Sequence, residues 1–491
     1  MRNLPKHEKY KSSYGTNEMY WGIGIEHEVY LQSLSKTLVW KLDDFLKRTK
    51  PERYSVRYYD NYKPGFYETH IQKYFQRNDI KELEVPVLIN SNSFQKTDVH
   101  GNHITTYEKV PKPNPAFQGK TAFAFLQEVN PYFRECYERD FLFDGDTIEF
   151  TTLDFYKTNV NSVLDELKKS EDRFLKELNK ACAMYKGSFF EYGPFCIQKK
   201  NFPFVSYLTN LQNISMFNNG TIHLNLTMPT ALDSSGGILD RPLFIKQHQA
   251  FARLCQWMSP FWIAMYGTPD VFSTVSKEAS KASQRCSVMR YIGVGTYNTS
   301  AMDEGKILTI DASNVEYYKE MNDNSCYSRL SKIGLDINFY KHHNLGIELR
   351  FFDHCSLSAL REIMNTCIYL MDYVRSLEKK NYRVKDPRRS KTWKYMMHII
   401  HRYGYKGILG LQLQHVFSSV FGVSRFPVPK TVQEFYTHVS QKLSRKYQLG
   451  FCATHMLSSK NCVSEKEELR NPTVVVPINA NSSVPWWICC A

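Results

Sequence analysis

The sequence contains no segment typical of secretion or of a membrane span. Its N-terminus reads MRNLPKHEKYKSSYGTNEMY and has no apolar core, which argues against a secretory signal peptide. The apolar stretches, such as Cys255–Gly267, are short and interrupted by polar residues or proline, so none is long enough to cross a bilayer. These two absences predict an intracellular, cytoplasmic protein.

Paired cysteines and common catalytic signatures are also missing. The chain has 12 cysteines but no C-x-x-C spacing, which disfavours a disulfide framework or a zinc knuckle. Gly119-Lys120-Thr121 resembles the end of a phosphate-binding loop, but position 114 is Asn and no buried strand precedes it. The sequence shows no Ser/His/Asp or Cys/His arrangement, so a covalent protein nucleophile is not expected.

Acidic residues are scarce relative to basic ones. The 63 lysines and arginines outnumber the 49 acidic residues, which gives a formal net charge of +14. Part of this surplus lies in Lys379–Lys394, which is either a solvated linker or a contact for an acidic partner. The linker is the more ordinary interpretation. Hydrophobic residues make up 42% of the chain, as in ordinary globular proteins.

Hydrophobic periodicity predicts an α+β fold with a mostly antiparallel sheet and helices packed on one of its faces. Strands are expected at residues 19–31, 144–152 and 217–228. Leu335–His343 and Leu345–Phe352 are expected to form a hairpin with Asn344 in the turn. Residues 50–120 are rich in Tyr, Asn, Pro and Lys and are expected to be β structure with long loops. Helices are expected at residues 160–185, 243–265 and 356–380, and in a region after residue 387.

This organisation suggests three parts of the chain. We expect a catalytic domain over residues 1–365 with a β and loop insertion at about 31–140, followed by a helical C-terminal region over residues 366–460. An irregular tail over residues 461–491 ends in Cys489-Cys490-Ala491, which is not a CaaX prenylation box. A docked apolar tail is the simpler interpretation, and lipid attachment is the alternative.

Four of the predicted strands carry polar side chains on one face only. Side chains i and i+2 of a strand point to the same side, so Glu26 and Glu28 follow Gly22 and Gly24 on one face of the first strand. For this pair alone, a solvated strand surface is an equally good interpretation. The matching faces of the other three strands carry Thr147, Glu149 and Thr151; Thr221, His223, Asn225 and Thr227; and Gly346, Glu348, Arg350 and Phe352.

A sheet face that combines these side chains would concentrate four carboxylates, one imidazole and one guanidinium. Carboxylates placed together repel one another unless a cation lies between them. Mg²⁺ and Mn²⁺ prefer oxygen ligands, and Mn²⁺ in particular tolerates an imidazole. Such ions clamp nucleotide phosphates, whose oxygens an arginine fork also recognises. The pattern therefore predicts a metal–nucleotide site.

The four strand motifs resemble those of the glutamate–cysteine ligase and amidoligase family of carboxylate–amine ligases. They read GIGIEHE, IEFTT, IHLN and GIELRFFD, occur in the family's order, and extend over roughly residues 19–365. The resemblance implies a catalytic fold like that of glutamine synthetase, with ATP and Mg²⁺ or Mn²⁺ as cofactors. It also implies amide-bond formation, γ-glutamyl among the options, through an acyl phosphate.

The resemblance also implies roles for individual residues. Glu28 and Glu149 would hold one metal ion, and Glu26, His223 and Glu348 would hold another. Arg350 would contact the γ-phosphate, and Asn225 would lie near the nucleotide or its metal ions. Arg285 and Arg290 are candidates for binding a substrate carboxylate or phosphate, although an ordinary surface position explains each of them equally well.

Two other interpretations stay open. The chain could be a catalytically inactive protein of the ligase fold that acts as a structural or binding module with a basic surface. It could also be a basic nucleic-acid-binding protein of another fold. Under the ligase interpretation, the expected partners are a small amino acid, a peptide or an acidic protein substrate, and nucleic acid is not expected. The sequence does not predict an oligomeric state.

Overall fold

Two five-stranded sheets form the centre of the protein. The computed structural model describes residues 14–48, 66–100, 105–106, 112–113, 119–153, 156–215, 218–275, 280–283, 346–379, 383–387 and 390–457. The strands of the two sheets are β1 (Met19–Val29), β2 (Leu31–Lys41), β3 (Glu82–Ile89), β4 (Phe141–Asp144), β5 (Thr147–Thr151), β6 (Phe195–Ile197), β7 (Val205–Tyr207), β8 (Asn210–Ser215), β9 (Thr221–Ala231) and β10 (Ile347–Asp353).

The first sheet, which we call sheet A, has the strand order β10-β9-β1-β5-β4 and is antiparallel throughout. The second sheet, sheet B, has the order β8-β7-β3-β2-β6, and its β3–β7 pair is parallel. Strands β1 and β2 are separated by a single residue, Tyr30, so the chain passes directly from sheet A into sheet B. The predicted α+β class is confirmed, and its antiparallel sheet corresponds to sheet A.

Helices cover the apolar face of sheet A. Helix α6 contacts β1 and β5, α8 contacts β9 and β10, and α9 packs on both helices. The helices are α1 (Leu42–Arg48), α2 (Phe66–Arg77), α3 (Ser91–Gln95), α4 (Ala122–Val129), α5 (Pro131–Glu135), α6 (Val160–Met184), α7 (Ser188–Glu191), α8 (Arg241–Tyr266), α9 (Leu357–Glu378), α10 (Lys391–Tyr403), α11 (Leu411–Phe421), α12 (Val432–Tyr447) and α13 (Phe451–Met456).

Apolar and polar residues alternate along the strands of sheet A, and this alternation explains why helices cover only one of its faces. The side chains that face the helices are fully buried and apolar, whereas their neighbours in the sequence point to the other face. The buried set consists of Ile23, Ile25, Ile148, Phe150, Ile222, Leu224, Leu226, Ile347, Leu349 and Phe351. Helix α9 buries a stripe of apolar side chains that includes Leu360, Ile363 and Cys367, and the Ser356 hydroxyl caps its first turn.

One predicted region differs from the structure, and part of another lies outside the described residues. The stretch expected to be β structure with long loops contains helices α2 and α3 besides strand β3, and α2 buries Ile71 and Phe75 one helical turn apart. The first arm of the predicted hairpin, Leu335–His343, lies outside the described residues. Residues 347–352 of the predicted second arm belong to strand β10, which pairs with β9.

The C-terminal helices pack on the outside of α8 and α9, and they continue the same hydrophobic core through Phe417, Phe435 and Val439. Within the described part of the chain, no helix combines the length and the apolar character needed to cross a membrane. The tail over residues 461–491, including Cys489 and Cys490, lies outside the described residues.

Candidate metal centre on sheet A

Three metal-ligand side chains from three neighbouring strands meet on the polar face of sheet A, opposite the face that packs on the helices. Glu26 of β1 lies opposite His223 of β9, and Glu348 of β10 lies opposite Asn225, two residues further along β9. The pairing of β9 with β10 shifts its register between Ile222 and Leu224, at His223. One donor atom from each of Glu26, His223 and Glu348 lies within 4.8 Å of the other two. The structure therefore brings together three of the five residues that the sequence analysis named as metal ligands.

The three side chains are shielded from water. The side chains of Glu26, His223 and Glu348 are 12%, 1% and 2% exposed, respectively. Two carboxylates this close and this buried repel each other and lose solvation energy, so a nearby positive charge is needed to offset both effects. Arg350 supplies part of that charge, because its Nη1 donates to Glu348 Oε1 over 2.9 Å.

Hydrogen bonds reach both ring nitrogens of His223. The Thr221 hydroxyl lies 3.1 Å from Glu28 Oε2, to which it donates, and 3.1 Å from His223 Nε2, from which it can then accept. His223 Nδ1 lies 3.1 Å from Glu26 Oε2 and 3.6 Å from Glu348 Oε1. Because a carboxylate only accepts, the shorter contact is a hydrogen bond that Nδ1–H donates to Glu26. A metal ion held by the triad would take the place of that proton, and the Thr221 hydroxyl would then keep the ring's other proton on Nε2.

A second pair of carboxylates lies beside this triad. Glu28 of β1 is directly opposite Glu149 of β5, on the same face of the sheet. Glu28 Oε1 is 3.7 Å from His223 Nε2, so His223 lies between the triad and the second pair. The placement of Glu28 and Glu149 on the polar faces of their strands was also predicted from the sequence.

Asn225 orients one of the triad carboxylates. Its Nδ2 donates to Glu26 Oε1 over 3.2 Å, so the two oxygens of Glu26 face Asn225 and His223 respectively. Arg350 is 18% exposed, more than any residue of the triad, and its guanidinium is therefore the part of this group that solvent or a ligand reaches most easily. Arg285 and Arg290, the other two candidate arginines, lie outside the described residues.

A hydrogen-bonded cluster that sequence reasoning missed lies on the opposite face of β1. His27 Nδ1 is 2.6 Å from Glu171 Oε1 of α6, and its Nε2 is 2.7 Å from His354 Nδ1. Burial, reinforced by neighbouring His27, lowers the pKa of His354 to about 3. The sequence did contain a sign of this cluster, because His27 is the polar residue on the buried face that it shares with Ile23, Ile25 and Val29. A buried polar side chain needs a hydrogen-bond partner, which here has to come from the layer above the sheet. The cluster ties β1, between Glu26 and Glu28, to α6.

Comparison with known proteins identifies one relative over most of the chain. No model of a known protein family matches the sequence. Over 460 residues the chain is 34% identical to the uncharacterized protein R704 of Acanthamoeba polyphaga mimivirus, in an alignment that covers 91% of this chain and 79% of the viral protein. Identity at this level over nearly the whole chain shows common descent, so the protein belongs to the same family as mimivirus protein R704.

Proposed function

We propose that the protein is an ATP- and divalent-metal-dependent carboxylate–amine ligase. The observation that supports this best is the convergence of Glu26, His223 and Glu348 within 4.8 Å, with Arg350 held beside Glu348. Phosphoryl transfer needs this combination, because metal ions and a guanidinium stabilise negative charge that spreads over the transferred group. The resemblance of the four strand motifs to those of carboxylate–amine ligases supports the same proposal.

The donor set fits Mg²⁺ or Mn²⁺. Two carboxylate oxygens and one imidazole nitrogen form a mainly hard ligand set, and the absence of a thiolate among these three residues disfavours a structural zinc site. Glu26, His223 and Glu348 would hold one ion, while Glu28 and Glu149 would contribute to a second. When bound, the ions would neutralise phosphate oxygens and increase the electrophilicity of the γ-phosphorus.

The proposed reaction has two steps. A substrate carboxylate attacks the γ-phosphorus of ATP, the bond from that phosphorus to the bridging oxygen breaks, and ADP leaves with the electron pair. An amine then attacks the acyl carbon of the acyl phosphate, inorganic phosphate leaves with the electron pair, and the nitrogen loses a proton to give the amide. Neither step needs a protein nucleophile. Arg350, oriented by Glu348, would contact the phosphoryl oxygens, and Asn225 would hold Glu26 in its ligating orientation.

The substrates are proposed only as classes. The acid would be the carboxylate of an amino acid, a peptide or an acidic protein, and glutamate is the expectation that comes from the family resemblance. The amine would be a second amino acid, a peptide or a protein side chain. An inactive binding module of the same fold is the competing function, and the following experiment separates the two.

Calorimetric titration tests the metal–nucleotide site directly. We expect the wild type to bind Mn²⁺, and to bind ATP in the presence of Mg²⁺ or Mn²⁺. Glu348→Gln should weaken Mn²⁺ binding by about tenfold or more, because one ligand becomes a neutral amide. Arg350→Ala should weaken ATP binding and leave Mn²⁺ binding nearly unchanged. Glu135→Gln, which changes a carboxylate with a 65% exposed side chain, is the matched control and should behave like wild type.

Turnover is tested separately from binding. Phosphate release should be measured with Mg²⁺-ATP and a panel of amino acids and acidic peptides, each offered with an amine acceptor. Release that needs both substrates and is lost in Glu348→Gln would support the ligase. Nucleotide binding without release for any pair would favour the inactive module. A wild type that binds no nucleotide with either ion would contradict the proposed function.

A further inference from the structure

The basic segment that leads into α10 is held against the protein. Val384 is buried, and its carbonyl accepts a hydrogen bond from Arg253 Nη1 of α8 over 3.1 Å. The carbonyl of Lys385 accepts another from Trp257 Nε1 over 3.0 Å. The expected solvated linker is therefore wrong for residues 383–387, because their backbone is tethered to α8. The side chains of Arg383 and Lys385 are exposed on this tethered backbone.

Helix α10 continues the exposed charge with an aromatic ring between its cations. Its inner face buries Trp393, Met396, Met397 and Ile400. Its outer face carries Lys391, Tyr395 and Arg402, which lie on one side at spacings of about one and two helical turns. Tyr395 is 59% exposed, which is unusual for a large aromatic side chain with no role in the core. We call Arg383, Lys385, Lys391, Tyr395 and Arg402 the basic strip.

Acidic residues are nearly absent from this part of the chain. Residues 383–457 contain 13 lysines and arginines but two acids, Asp386 and Glu434. Glu434 already accepts from Lys430 Nζ over 3.0 Å and from the backbone and hydroxyl of Thr431, which it caps. Among the described residues, the four cations of the basic strip form no salt bridge with a carboxylate. The strip thus presents positive charge that an anionic partner can neutralise.

We propose that the basic strip binds single-stranded nucleic acid. Exposed cations along a fixed backbone match a chain of phosphates, and an exposed tyrosine between them offers a surface on which an unpaired base stacks. A partner that only carries carboxylates would use the cations but would leave the ring of Tyr395 without a specific role. Helix α10 packs on α8, which covers the face of sheet A opposite to Glu26, so this surface is separate from the candidate metal centre.

Fluorescence anisotropy with labelled single-stranded 20-mers of DNA and RNA tests the proposal on the full chain. Four phosphate contacts predict that the logarithm of affinity falls with the logarithm of salt concentration with a slope of about −3. The triple substitution Arg383→Glu, Lys391→Glu and Arg402→Glu should abolish measurable binding and flatten this slope. Tyr395→Ala should weaken binding by about fivefold or more at an unchanged slope, because it removes stacking and leaves the charge intact.

A matched charge reversal serves as the control. Lys169, Lys176 and Lys180 are exposed on α6, and their replacement by Glu changes the net charge by the same amount. This control should retain nearly full binding, and circular dichroism melting should confirm that all variants fold. Equal loss in both triple variants would show an unspecific charge effect and overturn the proposal. Absence of binding at 50 mM salt, or tighter binding of poly-glutamate than of either oligonucleotide, would also overturn it.

Discussion

Thr221 is the residue on which the chemistry of His223 depends. Its hydroxyl links Nε2 of the imidazole to Glu28, and with a metal ion bound this link would keep the ring proton on Nε2 and leave the lone pair of Nδ1 for the ion beside Glu26 and Glu348. Groups that orient a ligating histidine commonly contribute one to two orders of magnitude to metal affinity. A residue that touches no metal ion is therefore expected to control the triad.

Thr221→Val tests this dependence, since valine has nearly the same shape and no hydroxyl. We expect Mn²⁺ affinity to fall by roughly tenfold because the ring loses the acceptor that selects its tautomer. Thr366→Val is the matched control, because Thr366 is also buried but its hydroxyl donates to the Glu362 carbonyl within α9. Unchanged Mn²⁺ affinity in Thr221→Val, measured by calorimetry, would show that the tautomer is set in another way.

For single residues, the sequence predicted which face of a strand a side chain lies on. It did not predict which side chains of the helix layer contact that face. The period of two along each strand predicted that Glu26, His223 and Glu348 lie on the polar faces of their strands, whereas the grouping of these three residues came from the resemblance to the ligase family. The partners of His27 could not be predicted in the same way. Glu171 comes from a helix and His354 from a strand end, and no periodicity relates the register of a helix to the sheet below it.

Among the elements, strand β10 depends on Gly346 for its approach to β9. A Cβ on Gly346 would lie 2.4 Å from the Leu226 carbonyl oxygen and 2.5 Å from Thr227 Oγ1. Backbone atoms at that distance cannot move aside, so a side chain would separate the two strands at the point where β10 begins. Glu348 lies two residues further on and would move away from His223.

Gly346→Ala should therefore weaken both the fold and the metal site. We expect a loss of stability of about 1–3 kcal/mol in urea denaturation, together with a fall in Mn²⁺ affinity. Gly410→Ala is the control, because a Cβ there meets no atom within 4 Å and the residue has a φ of −63° that alanine adopts readily. Wild-type stability and Mn²⁺ affinity in Gly346→Ala would contradict the close approach of the two strands.

Some helices and strands can be predicted from the sequence more accurately than others. Helix α6 begins at the predicted residue and ends one residue early, because its apolar positions recur regularly over 25 residues. Strand β3 lies in the stretch that was expected to be β structure, but strand β2 and the rest of sheet B were not predicted. The middle of β2, from Leu34 to Thr37, is exposed and its pairing with β3 shifts register there, so the alternation that identifies a strand is interrupted.

For the whole molecule, three buried histidines predict a loss of stability in acid. Burial lowers the pKa of His248 to about 4 and those of His354 and His401 to about 3. His248 must stay neutral, because its Nε2 accepts the Met228 backbone N–H over 3.0 Å while Nδ1 donates to the Phe244 carbonyl. These histidines have a pKa of about 6.5 in an unfolded chain, so the unfolded state binds more protons as the pH falls below that value.

Because the unfolded state binds more protons than the folded state, the free energy of unfolding falls as the pH is lowered. The stability linked to each neutral histidine is fully present above about pH 6.5 and is lost as the pH falls toward the folded-state pKa. Three such groups give a slope of about 4 kcal/mol per pH unit near pH 5. Urea denaturation at pH 7.5, 6.5 and 5.5 should show this fall. His401→Gln should reduce the slope by about a third, whereas exposed His455→Gln should not, and a flat stability profile would contradict the prediction.

The residues of the candidate metal centre are far apart in the chain, since Glu26 lies near its beginning and Glu348 follows almost every strand of both sheets. Contacts between such distant segments form late in folding, because the chain loses the conformational entropy of a long loop before these contacts can stabilise it. No partly synthesised chain that lacks β10 can offer the complete triad. Metal capture would thus report that the chain has been synthesised at least through β10 and that sheet A has formed, and bound ions would stabilise only that folded state.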